Sequence, residues 1–265
     1  MSRATETRSL DRGLTILSCL SVRGASSLQD LHAQTALPKS TIRRILGTLV
    51  RRKIVRRSVN DRLYRSNVPL VTQNNLQPAP HEGQMVDCAV PHMIELTRDI
   101  GWACDLHIFE RTRSRIIEST RPLSPFFQYE RHIDLAVPVF AAAAGLAVLS
   151  TWTDRAVSAL VDEIGEDPKW GLSRSGMTRR ALSKMLQEAR ADGYAARSSL
   201  FHGEIDHSDR LHAIARPVFR GEQAIGGLVV LWPKGFMSPE QFAKAHLARF
   251  IETADAINAD LRPES

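Results

Sequence analysis

The stretch LPKSTIRRILGTL, residues 37–49, contains the strongest structural signal in the chain. Its large apolar residues recur at helical spacing and form one stripe, made of Ile42, Ile45, Leu46 and Leu49. Pro38 fits the first turn of such a helix, because the amide proton that proline lacks would have no partner there. Hydroxyl and basic side chains lie off the stripe, which predicts a polar, positive exposed face: Lys39, Ser40, Thr41, Arg43 and Arg44.

Two shorter helical patterns precede this one. Ser9 can cap a helix in which Leu10, Leu14, Leu17 and Leu20 recur at helical spacing. Ser27 and Asp30 then resemble a capping box that opens a second helix, and Thr35–Leu37 is a short turn. Two helices joined by a tight turn, the second with a basic face, have the geometry that fits the major groove of DNA.

Two short strand patterns follow, at residues 53–57 and 62–65, with a turn at residues 59–61. Such a hairpin is typical of the wing of a winged helix, whose arginines contact the backbone or the minor groove. Arg57 and Arg62 are the candidates for those contacts. The alternative is a basic three-helix bundle that binds protein or lipid.

The distribution of charge agrees with a nucleic-acid partner for the first part of the chain. Residues 1–66 contain 14 Lys or Arg against 4 Asp or Glu, whereas residues 67–265 contain 21 against 25. A basic end on a slightly acidic body indicates that the first part binds a polyanion. A solvated basic arm would have the same composition, but the helical spacing of the apolar residues argues against an arm.

Residues 67–84 are polar, rich in proline and without periodicity, which predicts a linker between domains 1–66 and 85–265. The second domain begins with an amphipathic helix at Met85–Arg98, and strands then alternate with helices. We therefore expect an α+β fold with helices packed on a curved, partly antiparallel sheet. Strands are predicted at 102–109, 114–120, 131–137, 194–199, 211–219 and 224–232, and helices at 140–150, 154–164, 178–191 and 239–261.

Several functional classes are disfavoured by the sequence. Three cysteines stand far apart, which argues for a reducing, cytoplasmic setting. Residues 135–153 lack charge, but Pro138 and many small residues favour a buried strand and helix over a membrane span. No GxSxG, HExxH or Walker motif occurs, so no catalytic residue and no cofactor are expected. Asp105 and His107 alternate on one predicted strand, which is only a weak signal for chemistry.

The segment FHGEIDHSDRLH, residues 201–212, is rich in potential metal ligands. Its histidines are spaced five residues apart, which matches no closed metal site, and we interpret the segment as a polar loop rather than a metal centre. If a pocket nearby takes an acid, His202 or Arg197 could hold its carboxylate.

The chain resembles the IclR family of bacterial regulators. RGLTILSCL (12–20), residues 27–57 and RLYRSN (62–67) are similar to the family's winged helix-turn-helix. AVPVFAAAAGLAVL (136–149), EARADGYA (188–195), LHAIARPVF (211–219) and AIGGLVVL (224–231) resemble its effector domain, which is related to the GAF fold. The resemblance implies that Lys39, Ser40, Thr41 and Arg44 lie at the DNA surface.

The same resemblance implies an effector pocket lined by Ala143, Ala144, Leu211, Ala213, Val229 and Leu231. Two positions depart from the family pattern, because Phe140 stands where histidine is common and Leu146 where lysine is common. Both changes make the region less polar. The N–H groups of a helix beginning near Ala143 are suited to a carboxylate.

The sequence thus predicts a ligand-responsive, sequence-specific DNA-binding transcription regulator that acts as a homodimer or a dimer of dimers. We expect the first helix and the helix at 85–98 to form the contacts between protomers. The expected effector is a small organic acid with an apolar part, since the chain resembles regulators of aromatic-acid degradation most. The alternatives are an enzyme of small-acid metabolism with an appended DNA-binding domain, and a DNA-binding repressor without a ligand.

Overall fold

The computed structural model describes residues 8–68, 81–126, 133–199 and 211–262. The chain divides into two units between Asp87 and Cys88. None of the helices in these described ranges is long and apolar enough to cross a membrane.

The first unit contains a helix-turn-helix followed by a small hairpin. Its elements are α1 (Arg8–Arg23), α2 (Leu28–Thr35), α3 (Lys39–Arg51), β1 (Val55–Arg57) and β2 (Tyr64–Ser66). The predicted capping box is present, with Ser27 Oγ accepting from the Asp30 amide at 3.1 Å and Asp30 Oδ2 accepting from the Ser27 amide at 2.8 Å. Pro38 lies one residue outside α3, as its N-cap. The N-terminal helix-turn-helix predicted from the sequence is therefore confirmed.

The apolar stripe of α1 is buried over only part of its length. Leu17 and Leu20 pack in the core of the first unit, together with Ile16. Leu10 and Leu14, which the sequence pattern placed on the same stripe, are 63% and 50% exposed. The first half of α1 therefore carries an apolar strip that the described residues of its own unit do not cover.

The hairpin is shorter than predicted. Strand β1 starts at Val55 rather than residue 53, and β2 starts at Tyr64 rather than residue 62. Lys53 and Arg62 have φ angles of 56° and 61°, and a residue in this left-handed region interrupts an extended strand. The connection is consequently a six-residue loop at residues 58–63 rather than a three-residue turn.

Helix α4 (Glu82–Ile100) contains the division between the two units. It begins three residues before the predicted start at Met85, so the last residues of the predicted linker 67–84 are helical. Pro91 is accommodated inside the helix. Gly101, with φ of 78°, ends it and donates its amide to the Thr97 carbonyl.

The second unit is built on one six-stranded sheet in the order β5-β4-β3-β8-β7-β6. All pairings between these described strands are antiparallel, which agrees with the partly antiparallel sheet that the sequence predicted and extends it to every described pairing. The α+β class with helices on the sheet is confirmed. The elements are β3 (Ala103–Glu110), β4 (Arg113–Ser119), β5 (Ala136–Pro138), α5 (Ala143–Ser150), α6 (Asp154–Ile164), α7 (Arg179–Asp192), β6 (Ala195–Ala196), β7 (Leu211–Arg220), β8 (Gln223–Pro233) and α8 (Pro239–Asp260).

Two strands and one helix of this unit are shorter than the sequence indicated. Asp134 has a positive φ angle and delays the start of β5 relative to the predicted strand 131–137, while β6 ends at Ala196 rather than at the end of the predicted strand 194–199. Residues 131 and 132 lie outside the described ranges. The predicted helix 140–150 starts only at Ala143, because residues 139–142 form a tight turn in which the Ala142 amide donates to the Pro138 carbonyl.

Candidate functional site

The exposed face of α3 has the composition that the sequence predicted. Ile42 and Leu46 are fully buried against the rest of the first unit. Lys39, Ser40, Arg43 and Arg44 are exposed, and Thr41 is half-buried. None of the three basic side chains on this face forms an ion pair with another described residue, so their charges are available to a polyanion.

Gly47 lies in the middle of this face, a position that sequence analysis did not single out. A Cβ atom added to it would meet no other atom within 4 Å. Gly47 is seven positions after Ser40 and four positions from both Arg43 and Arg51, so all four lie on one side of the helix. The centre of the predicted DNA surface therefore has no side chain.

The arginines of the hairpin divide into two pairs. Arg57 and Arg62 are exposed, as the DNA-binding prediction requires. Arg57 Nε donates to the Arg62 carbonyl at 3.1 Å, and its guanidinium carbon lies 5.5 Å from the centre of the Tyr64 ring. These contacts orient Arg57 without removing it from solvent.

Arg56 and Arg65 turn inward instead. Arg65 makes two hydrogen bonds to the buried carboxylate of Asp61, at 3.0 and 2.8 Å. Arg56 donates to Glu82 Oε1 at 2.5 Å and to Asn67 Oδ1 at 2.9 Å, which ties β1 to the start of α4. The net positive charge of residues 1–66 thus overstates the charge that this unit presents to DNA.

In the second unit, three rows of side chains cross the sheet on the face that α5 covers. The first row is Ala213, Leu231 and Ala103, the second is Ala215, Val229 and Asp105, and the third is Pro217, Gly227 and His107. Residues directly paired in a sheet project to the same side, and successive rows along the strands lie about 7 Å apart. In the second and third rows, Asp105 and His107 of β3 therefore lie next to Val229 and Gly227 of β8.

The six residues of the predicted effector pocket come together at this surface. Ala143, Ala144, Ala213, Val229 and Leu231 belong to one buried apolar cluster, and Leu211 packs against its edge. Phe140 and Leu146 belong to the same cluster and are fully buried. The two departures from the family pattern therefore add apolar surface beside the candidate site.

The first turn of α5 carries free hydrogen-bond donors. Its N-cap is Ala142, which has no side-chain oxygen to accept from them. The N–H groups of Ala143, Ala144 and Gly145 have no acceptor among the described residues. Such groups at a helix N-terminus attract an anion through their hydrogen atoms and the helix dipole.

Two glycines allow the first turn of α5 to pack closely against the residues before it and against strand β8. A Cβ on Gly145 would lie 2.2 Å from the Val139 carbonyl oxygen, and a Cβ on Gly227 would lie 3.1 Å from Ala144 Cα. The first turn of α5 therefore sits directly over the third row of the sheet, which contains Gly227 and His107.

Asp105 in the second row forms a buried ion pair. Arg121, from a short 3-10 turn after β4, donates to its two oxygens at 3.2 and 2.7 Å. Burial alone would raise the pKa of Asp105, but the charge and hydrogen bonds of Arg121 outweigh burial and lower it. The aspartate is thus an anion whose charge is already neutralised.

His107 in the third row is buried and uncharged. Burial lowers its pKa to about 4, against the opposing effect of Asp105. Its Nδ1 atom has no hydrogen-bond partner among the described residues. The positive charges of Arg197 and Arg121 act on it as well. The sequence shows that Asp105 and His107 share a strand face, but it does not show that β3 lies beside β8, so neither residue was predicted at the candidate effector site.

Arg197 lies next to this region, immediately after β6. Its amide donates to the Ala213 carbonyl at 2.9 Å. His202 and the rest of the histidine-rich segment up to Arg210 lie outside the described residues. Within the described ranges, no group of three or more His, Cys, Asp or Glu side chains could hold a metal ion.

Family models match both parts of the chain. The IclR helix-turn-helix domain matches residues 9–58, and the bacterial transcriptional regulator IclR C-terminal model matches residues 79–259. The second match alone covers more than half of the chain, which is sufficient to establish membership of the family.

Solved structures with the same fold cover nearly the whole chain. An IclR family transcriptional regulator from Brucella abortus is 19% identical, with 96% of this chain and 93% of that chain covered and a TM-score of 0.56. An IclR transcriptional regulator from Alicyclobacillus acidocaldarius is also 19% identical, with 97% and 99% covered and a TM-score of 0.53. An IclR homologue from Microbacterium hydrocarbonoxydans, solved in complex with 4-hydroxybenzoate, is 20% identical, with 96% and 98% covered and a TM-score of 0.52.

The helix-turn-helix with its unpaired basic face, the α5-covered sheet and the two family matches lead to one assignment. The chain belongs to the IclR family of bacterial transcriptional regulators and combines an N-terminal helix-turn-helix DNA-binding domain with a C-terminal effector domain.

Proposed function

We propose that this regulator reads a specific operator and responds to a small organic acid with an aromatic part. The observation that supports the acid is the first turn of α5, where three backbone N–H groups without acceptors among the described residues stand over a sheet face whose β7 and β8 residues are apolar. This arrangement combines a place for a carboxylate with a surface for a ring. Membership of the family supports the DNA-binding part.

On DNA, α3 enters the major groove and the hairpin follows the backbone. Arg43 and Arg44 can pair with guanine edges through two hydrogen bonds each, while Lys39, Ser40 and Thr41 contact phosphates or bases near the start of the helix. Arg57 and Arg62 in the hairpin contact the flanking backbone or the minor groove. Sequencing DNA fragments that the purified protein retains would identify the operator. Retention of DNA without enrichment of any sequence would contradict sequence-specific binding.

The apolar walls of the site favour an aromatic effector over a short dicarboxylate. Ala213, Val229 and Leu231 offer no side-chain donor or acceptor, and a polar oxygen buried against them would cost about 1–3 kcal/mol. An aromatic ring instead gains about 25 cal/mol for each Å² removed from water. The structural neighbour with bound 4-hydroxybenzoate supports this class for a protein of the same fold.

Calorimetric titration with benzoate, 4-hydroxybenzoate, cinnamate, glyoxylate and pyruvate tests the effector class. We expect an aromatic acid to bind and the short acids not to bind. Binding of glyoxylate or pyruvate alone would contradict the proposed class. Unchanged thermal stability with every acid would favour a repressor without a ligand, because a ligand that binds the native state must stabilise it.

We also propose that the protein acts as a homodimer or as a dimer of dimers. A single winged helix buries little surface on DNA, and two of them on spaced half-sites gain both affinity and specificity. The exposed apolar strip of Leu10 and Leu14 on α1 is a suitable contact between protomers. Sedimentation of the wild type and of a Leu10→Glu/Leu14→Glu variant tests this. Equal assembly of both proteins would exclude α1 as the contact.

A further inference from the structure

His107 is the one polar side chain that β3 places in the row beneath the first turn of α5. It pairs directly with Gly227 on β8, and paired residues project to the same side of a sheet. The side of Gly227 that would carry a Cβ faces Ala144. The imidazole therefore leaves the sheet toward the same turn of α5 that presents the free N–H groups.

The imidazole is buried but incompletely bonded. His107 is 6% exposed, and its Nδ1 atom has no partner among the described residues. Buried polar atoms in native proteins almost always have a hydrogen-bond partner, so an orphaned one in a ligand-binding domain indicates a group that the ligand satisfies. The unpartnered Nδ1 atom of His107 and the free N–H groups of α5 therefore indicate the same location for a ligand.

The charges around His107 favour an anion rather than a cation. From its own strand it faces Asp105, whose charge is neutralised by the bidentate pair with Arg121. From the end of β6 it faces the positive charge of Arg197, while Gly227 of β8 and Ala144 of α5 contribute no charge. A carboxylate placed there would meet the imidazole and the three N–H groups, and the charge of Asp105 beside it is already neutralised by Arg121.

We propose that His107 is a specificity-determining residue of the effector site, which donates a hydrogen bond from its imidazole to the carboxylate of an organic acid held at the first turn of α5. This inference rests on the proposed function. It explains how a pocket with apolar walls distinguishes an acid from the uncharged amide or ester of the same shape. It also predicts that binding draws a proton toward His107, because a buried anion beside an imidazole favours the protonated ring.

The experiment uses the full chain and matched pairs of probes. Benzoate, 4-hydroxybenzoate and cinnamate are each compared with the corresponding amide by calorimetry. The variants are His107→Leu, which removes both ring nitrogens, and His107→Asn, which keeps a donor. Leu106→Met is the control, because Leu106 is a buried residue of the same strand that projects to the opposite face.

We expect the acid that binds wild type most tightly to bind His107→Leu at least tenfold more weakly and His107→Asn with an intermediate loss. The control should bind like the wild type, and the amides should bind both wild type and variants equally weakly. Without ligand, the Tm of His107→Leu should be unchanged or higher, since the variant removes an unsatisfied buried atom. A merely structural histidine would instead lower Tm and leave the preference for acid over amide intact.

Titrations of the wild type in two buffers of different ionisation enthalpy supply a further readout. We expect proton uptake on binding of the acid, and none in His107→Leu. Binding of an acid with equal affinity to wild type and His107→Leu would overturn the role of His107 and leave the proposed function standing. Absence of binding by all three acids to wild type would overturn both.

Discussion

The exposed face of α3 and the α5-covered face of the sheet are both candidate binding surfaces, but they are built in opposite ways. On α3, the polar side chains come from one turn after another of a single helix and point into solvent. On the sheet, Asp105 and His107 are buried and lie beside residues of β8 that are more than 100 positions away in the sequence. The first surface follows from local periodicity, whereas the second depends on which strands are neighbours.

The hairpin shows the same contrast on a smaller scale. Four arginines occupy it, and the sequence alone does not distinguish them. Arg57 and Arg62 are exposed, whereas Arg56 and Arg65 are buried with carboxylate partners. A positive charge near DNA is therefore either a contact or a structural support, and the partner of each guanidinium decides between the two.

The largest expected effect is on stability and separates these two kinds of arginine. Arg65→Ala removes the cation that pairs with the buried carboxylate of Asp61, and we expect the first unit to lose about 3–5 kcal/mol of its free energy of unfolding. Arg57→Ala, the exposed control, should change it by less than about 1 kcal/mol. Urea unfolding followed by circular dichroism measures both.

The four tryptophans make that measurement specific to one unit. Trp102, Trp152, Trp170 and Trp232 all belong to the second unit, so their fluorescence reports its unfolding separately. We expect the fluorescence transition of Arg65→Ala to match the wild type. Equal losses for Arg65→Ala and Arg57→Ala would mean that the pair with Asp61 does not support the hairpin.

The second effect concerns pH and the buried polar residues of the sheet. Burial lowers the pKa of His107 from 6.5 to about 4. Between these values the unfolded chain binds a proton that the folded chain does not, so the free energy of unfolding falls as the pH falls through this window. One pKa unit corresponds to about 1.4 kcal/mol, which gives a loss on the order of 3 kcal/mol from this residue.

His107→Leu should therefore lose less stability than the wild type between pH 6.5 and pH 4. Above pH 7, the free energies of unfolding of the two proteins should change with pH in the same way. Thermal or urea unfolding across this range measures the difference, and carboxylates common to both proteins cancel in it. Identical pH profiles would show that His107 is not held neutral in the folded protein.

The third effect is on DNA affinity. Arg44→Ala should weaken binding to the operator by about 1–3 kcal/mol, because a contact to a base edge is lost, while Arg57→Ala should mainly reduce the slope of log affinity against log salt by about 1. Arg180→Ala, an exposed arginine of α7 in the other unit, is the control with the same loss of charge. Fluorescence anisotropy with labelled operator measures all three. Equal affinity of wild type and Arg44→Ala would remove Arg44 from the base-reading face.

Most of the helices were predictable from the sequence because their signals are local. The capping box at Ser27 and Asp30, the stripe of α3 and the span of α6 all depend on residues within one or two turns. The errors in the hairpin occurred where the backbone enters the left-handed region without a glycine, at Lys53 and Arg62, since no side-chain pattern announces it.

The candidate effector site was harder to predict from the sequence. Its small and apolar residues were found through the resemblance to the family, and the structure brings all six of them together. Asp105, His107 and Arg121 were not predicted to lie beside these residues, because the ion pair and the rows of the sheet require the strand order β4-β3-β8. Similarly, the helical spacing placed Leu10, Leu14, Leu17 and Leu20 on one stripe of α1, but it could not show that only Leu17 and Leu20 pack in the core while Leu10 and Leu14 are exposed.

The smallest expected effect tests the recognition face of α3 at its centre. Gly47 is in the interior of a helix, where glycine costs about 1 kcal/mol relative to alanine, and an added Cβ would meet nothing in the free protein. Gly47→Ala should therefore raise the free energy of unfolding by roughly 0.5–1 kcal/mol.

The same substitution should weaken operator binding, because the new methyl group stands between Arg43 and Arg51 on the exposed face of α3, where the helix would approach the DNA closely. Gly13→Ala in α1 is the matched control, since it too is a helical glycine with open space around its Cβ position. It should gain similar stability without a loss of operator affinity, provided that sedimentation shows unchanged assembly. If Gly47 is needed because the DNA comes close, Gly47→Ala should raise the free energy of unfolding and lower the operator affinity. Gly13→Ala should raise the free energy of unfolding without changing the affinity. If Gly47→Ala gained stability and bound the operator as tightly as wild type, the DNA would not approach α3 at this point, and the contacts of Arg43 and Arg44 would have to be made from further away.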